Sequence, residues 1–109
     1  MVDEQIFRRD ADRVLEQLKQ TLIDAEEEGG FEVEENSGVL NVVFEAPTAK
    51  FVFTPNTPVR QIWISALSTS YKLDWTEGAF LLPKTGENLT VLTQRLLREQ
   101  TGDDSISLR

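Results

Sequence analysis

Five short stretches of alternating apolar and polar residues, placed between two longer amphipathic stretches, constrain the fold of this chain most strongly. Successive side chains of a β-strand point to opposite faces of a sheet, so this alternation predicts strands that are apolar on one face. A tight turn at 36–38 should join the first two strands into an antiparallel hairpin. The predicted strands are FEVEE (31–35), VLNVVFE (39–45), KFVFT (50–54), RQIWIS (60–65) and YKLDW (71–75), with a short sixth strand through 80–82.

The first amphipathic stretch predicts a long helix that ends at Gly29-Gly30, because glycine readily adopts the left-handed conformation that stops helices. Asp3 is its predicted N-cap, and Val2 is expected to pack against Phe7. Its apolar residues recur every three or four positions, as expected for one helix face. This stripe comprises Phe7, Ala11, Val14, Leu18, Leu22 and Ala25.

A second helix is predicted near the end of the chain, with Asn88 as its N-cap and Gly102 as its end. Leu89, Leu92 and Leu96 form its apolar stripe, and the apolar residues of the segment 103–108 are expected to fold back onto the helices. An antiparallel meander between two amphipathic helices predicts an α+β two-layer sandwich of one domain, residues 1–109. Both helices should cover one face of the five- or six-stranded sheet and leave the other face open to solvent.

Composition excludes several kinds of site. The chain has no cysteine and no histidine, so thiolate chemistry, thiolate metal sites and the commonest general base are absent. No apolar run approaches the roughly 20 residues of a membrane span. The start of the chain also lacks the apolar stretch of a signal peptide. Much of enzyme chemistry is thereby excluded, and we expect a soluble protein that is not secreted and does not act on membranes.

Acidic residues are concentrated in the first part of the chain. Residues 1–45 contain 13 acids and 4 bases, whereas residues 46–109 contain 6 acids and 7 bases. The densest stretch, DAEEEGGFEVEE (24–35), has 7 acids and no base. Such a surface repels nucleic-acid phosphates and attracts cations or basic proteins. Mobile surface carboxylates bind hard cations weakly, and a solvated face that only maintains solubility is the simpler alternative.

The spacing of these acids also invites comparison with the calcium loop of an EF-hand. Asp24, Glu26, Glu28, Gly29 and Glu35 match loop positions 1, 3, 5, 6 and 12. An EF-hand requires a second helix directly after the loop, whereas this stretch continues into an alternating strand. The pattern therefore disfavours an EF-hand.

Trp63 is the most informative aromatic residue, because the alternation of QIWIS places it on the polar side of the fourth strand. The opposite assignment would bury Gln61 and expose Ile62 and Ile64, which is unfavourable. Exposed tryptophans are frequent at protein interfaces. The open face of the sheet is thus predicted to bind a partner through Trp63.

The order of these elements resembles the frataxin family, and most closely its bacterial form. The stretch PNTPVRQIWIS (55–65) resembles the family's proline, two variable residues, glutamine, aliphatic residue, tryptophan and aliphatic residue. YKLDW follows at the family's distance, and TGENLTVLTQRLL (85–97) is similar to its second helix. The resemblance covers about residues 3–108, with a short insertion near 46–49.

This resemblance implies the frataxin fold and a role in iron-sulfur cluster assembly. Members of the family bind the cysteine desulfurase and its scaffold protein, modulate sulfur transfer, and bind Fe²⁺ and Fe³⁺ weakly at an acidic ridge. Carried over by position, the ridge comprises Asp24, Glu26, Glu28, Glu32 and Glu34, with weaker metal-binding candidates at Asp3, Asp10, Asp12 and Glu16. The positions that match the partner-binding sheet surface are Asn56, Gln61, Trp63 and Lys72.

Two other functions stay open at this point. One is a ferroxidase or iron-storage protein, which would need converging carboxylates in a protected site. The other is an acidic protein-interaction domain without a physiological metal. The resemblance further implies a monomeric adaptor that is not an enzyme and has no organic cofactor. Because no transit peptide is recognisable, we expect the bacterial cytoplasm, or the mitochondrial matrix if the chain is a processed eukaryotic domain.

Overall fold

The computed structural model describes residues 2–45 and 48–108, apart from the side chains of Val2 and Glu28. The described residues form two long helices and a six-stranded antiparallel sheet in which each strand pairs with the next along the chain. This arrangement confirms the predicted α+β sandwich. The elements are α1 (Val2–Gly29), β1 (Phe31–Asn36), β2 (Val39–Glu45), β3 (Thr48–Asn56), a 3-10 turn (Thr57–Val59), β4 (Gln61–Ala66), β5 (Thr69–Thr76), β6 (Ala79–Leu81) and α2 (Leu89–Thr101).

Helix α1 ends as predicted but begins earlier. It starts at Val2, so Asp3 lies in its first turn and is not the N-cap, and the predicted packing of Val2 on Phe7 falls outside the described side chains. At the other end, Gly30 has a φ of 69° and donates its N–H to the carbonyl of Glu26. A Cβ at Gly29 would collide with the ring of Phe31. The two glycines therefore permit both the end of the helix and its close approach to β1.

The buried face of α1 is slightly rotated from the predicted stripe. Leu15, which the spacing did not select, is buried, whereas Val14 and Ala25 are only partly buried. Four of the predicted stripe residues are buried as expected, namely Phe7, Ala11, Leu18 and Leu22. The helix thus contacts the sheet through the stripe that the sequence indicated, widened by Leu15.

Tight turns of two residues connect several strands. The turn between β1 and β2 consists of Ser37 and Gly38, with φ values of 51° and 83°. The turn between β4 and β5 has the same left-handed form at Leu67 and Ser68, with φ values of 52° and 61°. Because neither Leu67 nor Ser68 is glycine, this second turn is strained. The predicted insertion near 46–49 falls partly on residues 46–47, which lie outside the described residues.

The hydrophobic core lies between one face of the sheet and both helices. Alternate residues of β2 to β5 are buried against the same cluster as the apolar stripes of α1 and α2. The inward strand residues include Leu40, Val42, Phe44, Phe51, Phe53, Ile62, Ile64 and Leu73. The opposite face, called the open face below, carries no helix. Asn41 follows the predicted alternation and points to the open face, yet it is only 7% exposed.

Helix α2 and the segment after it follow the prediction. The side chain of Asn88 accepts a hydrogen bond from the N–H of Val91, and Gly102 ends the helix with a φ of 72°. Ile106 and Leu108 are buried. Their backbone is bound to α2, since Arg98 donates to the carbonyl of Ile106 over 2.8 Å. Within 2–45 and 48–108, neither helix is both long and apolar enough to cross a membrane.

Candidate partner-binding face and acidic ridge

Trp63 projects from β4 on the open face, and 38% of its surface is exposed. Its indole N–H donates to Oε1 of Gln61 over 2.8 Å. Lys72 is its direct partner across β5, and the Nζ of Lys72 lies 4.7 Å from the centre of the indole ring. A cation at this distance is attracted to the π electrons of the ring. The ring is therefore exposed but held in place from two sides, and its predicted exposure is confirmed.

Polar contacts extend from Trp63 toward the start of β4. Gln61 faces Asp74 across β5, and its Nε2 donates to Oδ1 of Asp74 over 2.7 Å. On its other side Gln61 faces Asn56, the last residue of β3. The fold thus brings the four predicted partner-binding residues, Asn56, Gln61, Trp63 and Lys72, to one region of the open face. Asp74 belongs to the same network, but alternation alone gave no reason to rank it above other outward residues.

Apolar side chains continue this face toward β2. Val43 and Val52 both point outward and are half-buried. Val52 pairs with Asn41 on one side and with Ser65 on the other. An exposed aromatic residue next to half-buried aliphatic residues is typical of the centre of a protein interface. The open face has the composition of a docking surface rather than of a catalytic cleft.

The acidic ridge follows the end of α1 and continues along β1, which is an edge strand. Asp24, Glu32 and Glu34 are exposed and form no ion pair with any described residue. Glu26 has a structural role, since its Oε2 accepts the N–H of Val33 over 2.7 Å. Glu28 lies in the helix, but its side chain is outside the described residues. The fold brings α1 and β1 acids to one edge of the molecule.

The ridge is unfavourable for the stability of α1. The last turn of this helix contains no basic residue, although the carbonyl end of a helix carries partial negative charge. Several carboxylates therefore repel both one another and the helix terminus.

Residues 24–29 are helical and β1 begins at Phe31, so this segment does not form the loop of an EF-hand.

Among the side chains that the structure describes, no group of three or more acidic residues is close enough to hold a metal ion together. The donors fit a hard cation chemically. Their spacing provides separate carboxylates rather than a preformed metal centre.

The weaker candidates along α1 separate into exposed and buried residues. Asp3, Asp12 and Glu16 are exposed, and Glu16 lies 3.9 Å from Lys19. Asp10 does not belong to this exposed group, because it is only 4% exposed.

The carboxylate of Asp10 is bound to protein groups on several sides. Its Oδ2 accepts the indole N–H of Trp75 over 3.0 Å, and its Oδ1 lies 3.5 Å and 3.7 Å from Arg9 and Arg13. Asp10 is three residues beyond Phe7, on the buried side of α1, and this spacing was the signal available in the sequence. We correct its assignment from a surface metal ligand to a link between α1 and β5.

The shifted pKa values belong to residues in or beside α2, away from the open face and the acidic ridge. A bidentate interaction with Arg95, at 2.8 Å and 2.9 Å, holds the pKa of Glu87 below its ordinary value and raises the pKa of Arg95. In the last segment, hydrogen bonds from Ser105 lower the pKa of Asp103. These shifts arise from contacts that stabilise α2 and the end of the chain.

The geometry defines a two-layer α+β protein that presents an exposed aromatic sheet face beside an acidic edge. A family model described as a frataxin-like domain matches residues 1–103. The chain belongs to the frataxin-like family.

Individual relatives agree with this assignment. The chain is 33% identical over 95 residues to the iron-sulfur cluster assembly protein CyaY of Pseudomonas fluorescens SBW25, covering 84% of this chain and 86% of the relative. It is 30% identical over 95 residues to the protein of the same name from Azotobacter vinelandii, with the same coverage of 84% and 86%.

Two solved structures share the fold at low sequence identity. Frataxin from Psychromonas ingrahamii superposes with a TM-score of 0.79 at 16% identity, over 92% of each chain. Yeast frataxin superposes with a TM-score of 0.69 at 24% identity, over 85% of this chain and 78% of the yeast chain. The fold is therefore retained where most side chains differ.

Proposed function

We propose that this protein is a non-catalytic adaptor of iron-sulfur cluster assembly that regulates the process by contact. The observation that carries the proposal is Trp63, an exposed ring held by Gln61 and Lys72 on the face that no helix covers. The bacterial relatives are named iron-sulfur cluster assembly proteins, which supports the same process. Their bacterial origin supports the bacterial cytoplasm as the place of action.

The open face and the acidic ridge would contact different partners. The open face, with its aromatic and aliphatic centre, suits the scaffold protein. The ridge suits a basic patch of the cysteine desulfurase, because Asp24, Glu32 and Glu34 are exposed and form no ion pair with any described residue. Iron would bind weakly to the same carboxylates as cargo, at positions such as Asp24, Glu32 and Glu34. The described carboxylates do not converge, so a ferroxidase centre is not part of the proposal.

The open-face half of the proposal is tested by capture of purified scaffold protein on immobilised full-length protein. Trp63→Ala should remove most of the capture while leaving the folded state almost unchanged, because the ring stands outside the core. Val91→Ala is a matched control, since Val91 is an exposed apolar residue of α2, on the opposite layer. Equal capture by wild type and Trp63→Ala would contradict docking through this face.

The ridge half is tested by capture of a cysteine desulfurase at low and at high salt, with and without iron. Glu32→Lys should weaken capture at low salt most strongly, because salt screens exposed charges. Asp104→Lys is the matched control, since it makes the same charge change in the exposed segment after α2. Glu26 is unsuitable for this test because it supports the N–H of Val33. Equal losses from both reversals would reduce the effect to net charge.

An iron titration followed by NMR distinguishes the adaptor from an acidic domain without a metal role. Perturbations confined to residues 3–35 would support iron binding at the ridge. The absence of localised perturbations would favour the plain interaction domain.

A further inference from the structure

Asn41 is anomalous for a residue of the open face. It lies on β2 between the inward residues Leu40 and Val42, so its side chain points away from the helices, yet it is only 7% exposed. Its amide forms no hydrogen bond with another described residue. Every fully enclosed side-chain nitrogen or oxygen atom of the described residues has a partner, so the Asn41 amide must keep an opening to the surface. A nearly buried amide with unused donors and acceptors can form hydrogen bonds with a polar group of a binding partner.

The neighbours of Asn41 supply charge on one side and apolar surface on the other. Glu34 is directly opposite on β1, and Val52 is directly opposite on β3. Val43 lies two residues along β2 on the same face. Directly opposed side chains of a sheet have Cβ atoms about 5 Å apart. An exposed carboxylate and an unpartnered amide oxygen therefore stand side by side, next to two half-buried valines.

This combination matches the chemistry of an arginine side chain. A guanidinium group presents five N–H donors in a rigid plane and binds two acceptors at once, whereas a lysine ammonium is a compact point charge. The aliphatic stem of arginine packs on apolar surface while its charged group stays at the edge. We infer that Glu34, Asn41, Val43 and Val52, called the Asn41 site below, receive an arginine side chain of a protein partner. The inference rests on the proposed role of the open face and specifies which partner group it accepts.

Glu34 rather than Glu32 is the carboxylate of this site. Glu32 stands in the neighbouring row of the open face, where Val43 separates it from Lys50. Lys50 supplies positive charge to that row. The row of Glu34 continues through Asn41, Val52 and Ser65, and contains no base. Glu32 is therefore a natural control, because its row leads through Val43 to Lys50, whereas Glu34 stands directly opposite the amide of Asn41.

The test uses the full-length protein and the probes N-acetyl-L-arginine amide and N-acetyl-L-lysine amide, which carry equal charge. NMR titration follows the side-chain amide of Asn41 and the methyl groups of Val43 and Val52. The arginine probe should shift these signals saturably. The lysine probe should bind about tenfold more weakly, because its ammonium group lacks the planar set of N–H donors that binds two acceptors at once. Glu34→Gln and Asn41→Val should each weaken arginine binding by about tenfold, and Glu32→Gln by about twofold at most.

Several outcomes would overturn the inference: equal shifts with both probes, shifts spread over the whole acidic ridge, or unchanged arginine binding in Asn41→Val. Thermal unfolding of Asn41→Val provides a second measurement. Because the amide has no internal partner, the variant should melt at or above the wild-type temperature, and a lower value would indicate an internal structural role instead. None of these results depends on capture of assembly proteins through Trp63, so failure of this site and failure of the proposed function are distinguishable.

Discussion

The two tryptophans of the chain lie on opposite faces of the same sheet and use the same donor differently. Trp75 points toward the helices, where its N–H binds Asp10 of α1 and its ring meets Phe7 edge-on at 5.6 Å. Trp63 points away from the helices, and its N–H binds Gln61, two residues earlier in the same strand. The first contact joins two layers of the molecule, whereas the second only orients a ring. Similar hydrogen bonds therefore contribute to stability in one place and to presentation of a surface in the other.

Truncation of the two rings should give the largest difference. We expect Trp75→Ala to lower the free energy of unfolding by about 3 kcal/mol, because it removes a ring packed on the core. Trp63→Ala should cost less than about 1 kcal/mol, because the ring is largely outside the core. Urea unfolding followed by circular dichroism measures both values. Comparable losses would abolish the distinction between the two faces.

Removal of the two acceptors should repeat this contrast on a smaller scale. Asp10→Ala should cost about 2 kcal/mol, because it leaves the Trp75 N–H and two arginines without their carboxylate. Gln61→Ala should cost less than about 0.5 kcal/mol, as for most surface substitutions. Asp12→Ala controls for loss of an acid from α1. If Asp10→Ala and Asp12→Ala unfolded at the same urea concentration, the link between α1 and β5 would have no energetic weight.

The helix layer also contains the bidentate pair of Glu87 and Arg95, which should contribute up to about 1 kcal/mol. Since the pKa of Glu87 is lowered in the folded state, its contribution is present above the ordinary carboxyl value of 4.5 and is lost as the pH falls through the folded pKa. The stability gap between wild type and Glu87→Gln should therefore narrow below about pH 4.5. Glu99→Gln, which removes a longer contact of 3.7 Å to Arg95, should give a smaller gap. A gap independent of pH would exclude the ionic contribution.

The smallest expected effect concerns the hairpin that carries Trp63. Ser68 has a left-handed φ of 61°, so Ser68→Gly should stabilise the protein by about 0.5 kcal/mol, the relief of strain exceeding the added freedom of the unfolded chain. The midpoint of thermal unfolding measures this gain. Ser70→Gly, in a neighbouring strand position, should instead destabilise the protein. A loss of stability in both variants would show that the turn is not strained.

The sequence predicted the layers and faces well because each strand of the meander is buried on one side. Alternation then identifies the inward residues, and Ile62, Trp63 and Ile64 follow it in the structure. Helix ends were also predictable where a local signal exists, as at Asn88 and Gly102. These features depend on residues close to one another in the chain.

Features that depend on contacts between distant segments were not predictable in the same way. Helical spacing indicates that Asp10 lies on the buried side of α1, but its partner Trp75 lies 65 residues later in the chain and could not be identified from the sequence. Glu26 matches the acidic ridge by position, but in the folded protein it lies beside β1 and its carboxylate accepts the N–H of Val33. Alternation correctly places Asn41 on the open face. Its burial depends on how far the side chains of the two neighbouring strands extend over it, which alternation does not predict. Position on a face and accessibility on that face are separate properties.

Because the last turn of α1 contains no base, the stability of the folded protein should respond to cations that bind there. Acids at the end of this helix destabilise the native state, so any polycation that docks on the ridge relieves repulsion present before binding. A ligand that prefers the folded form raises the melting temperature by an amount that grows with its free concentration relative to its dissociation constant. Thermal melting of this protein should thus report basic partners and iron without a label, with a response that fades as salt is added.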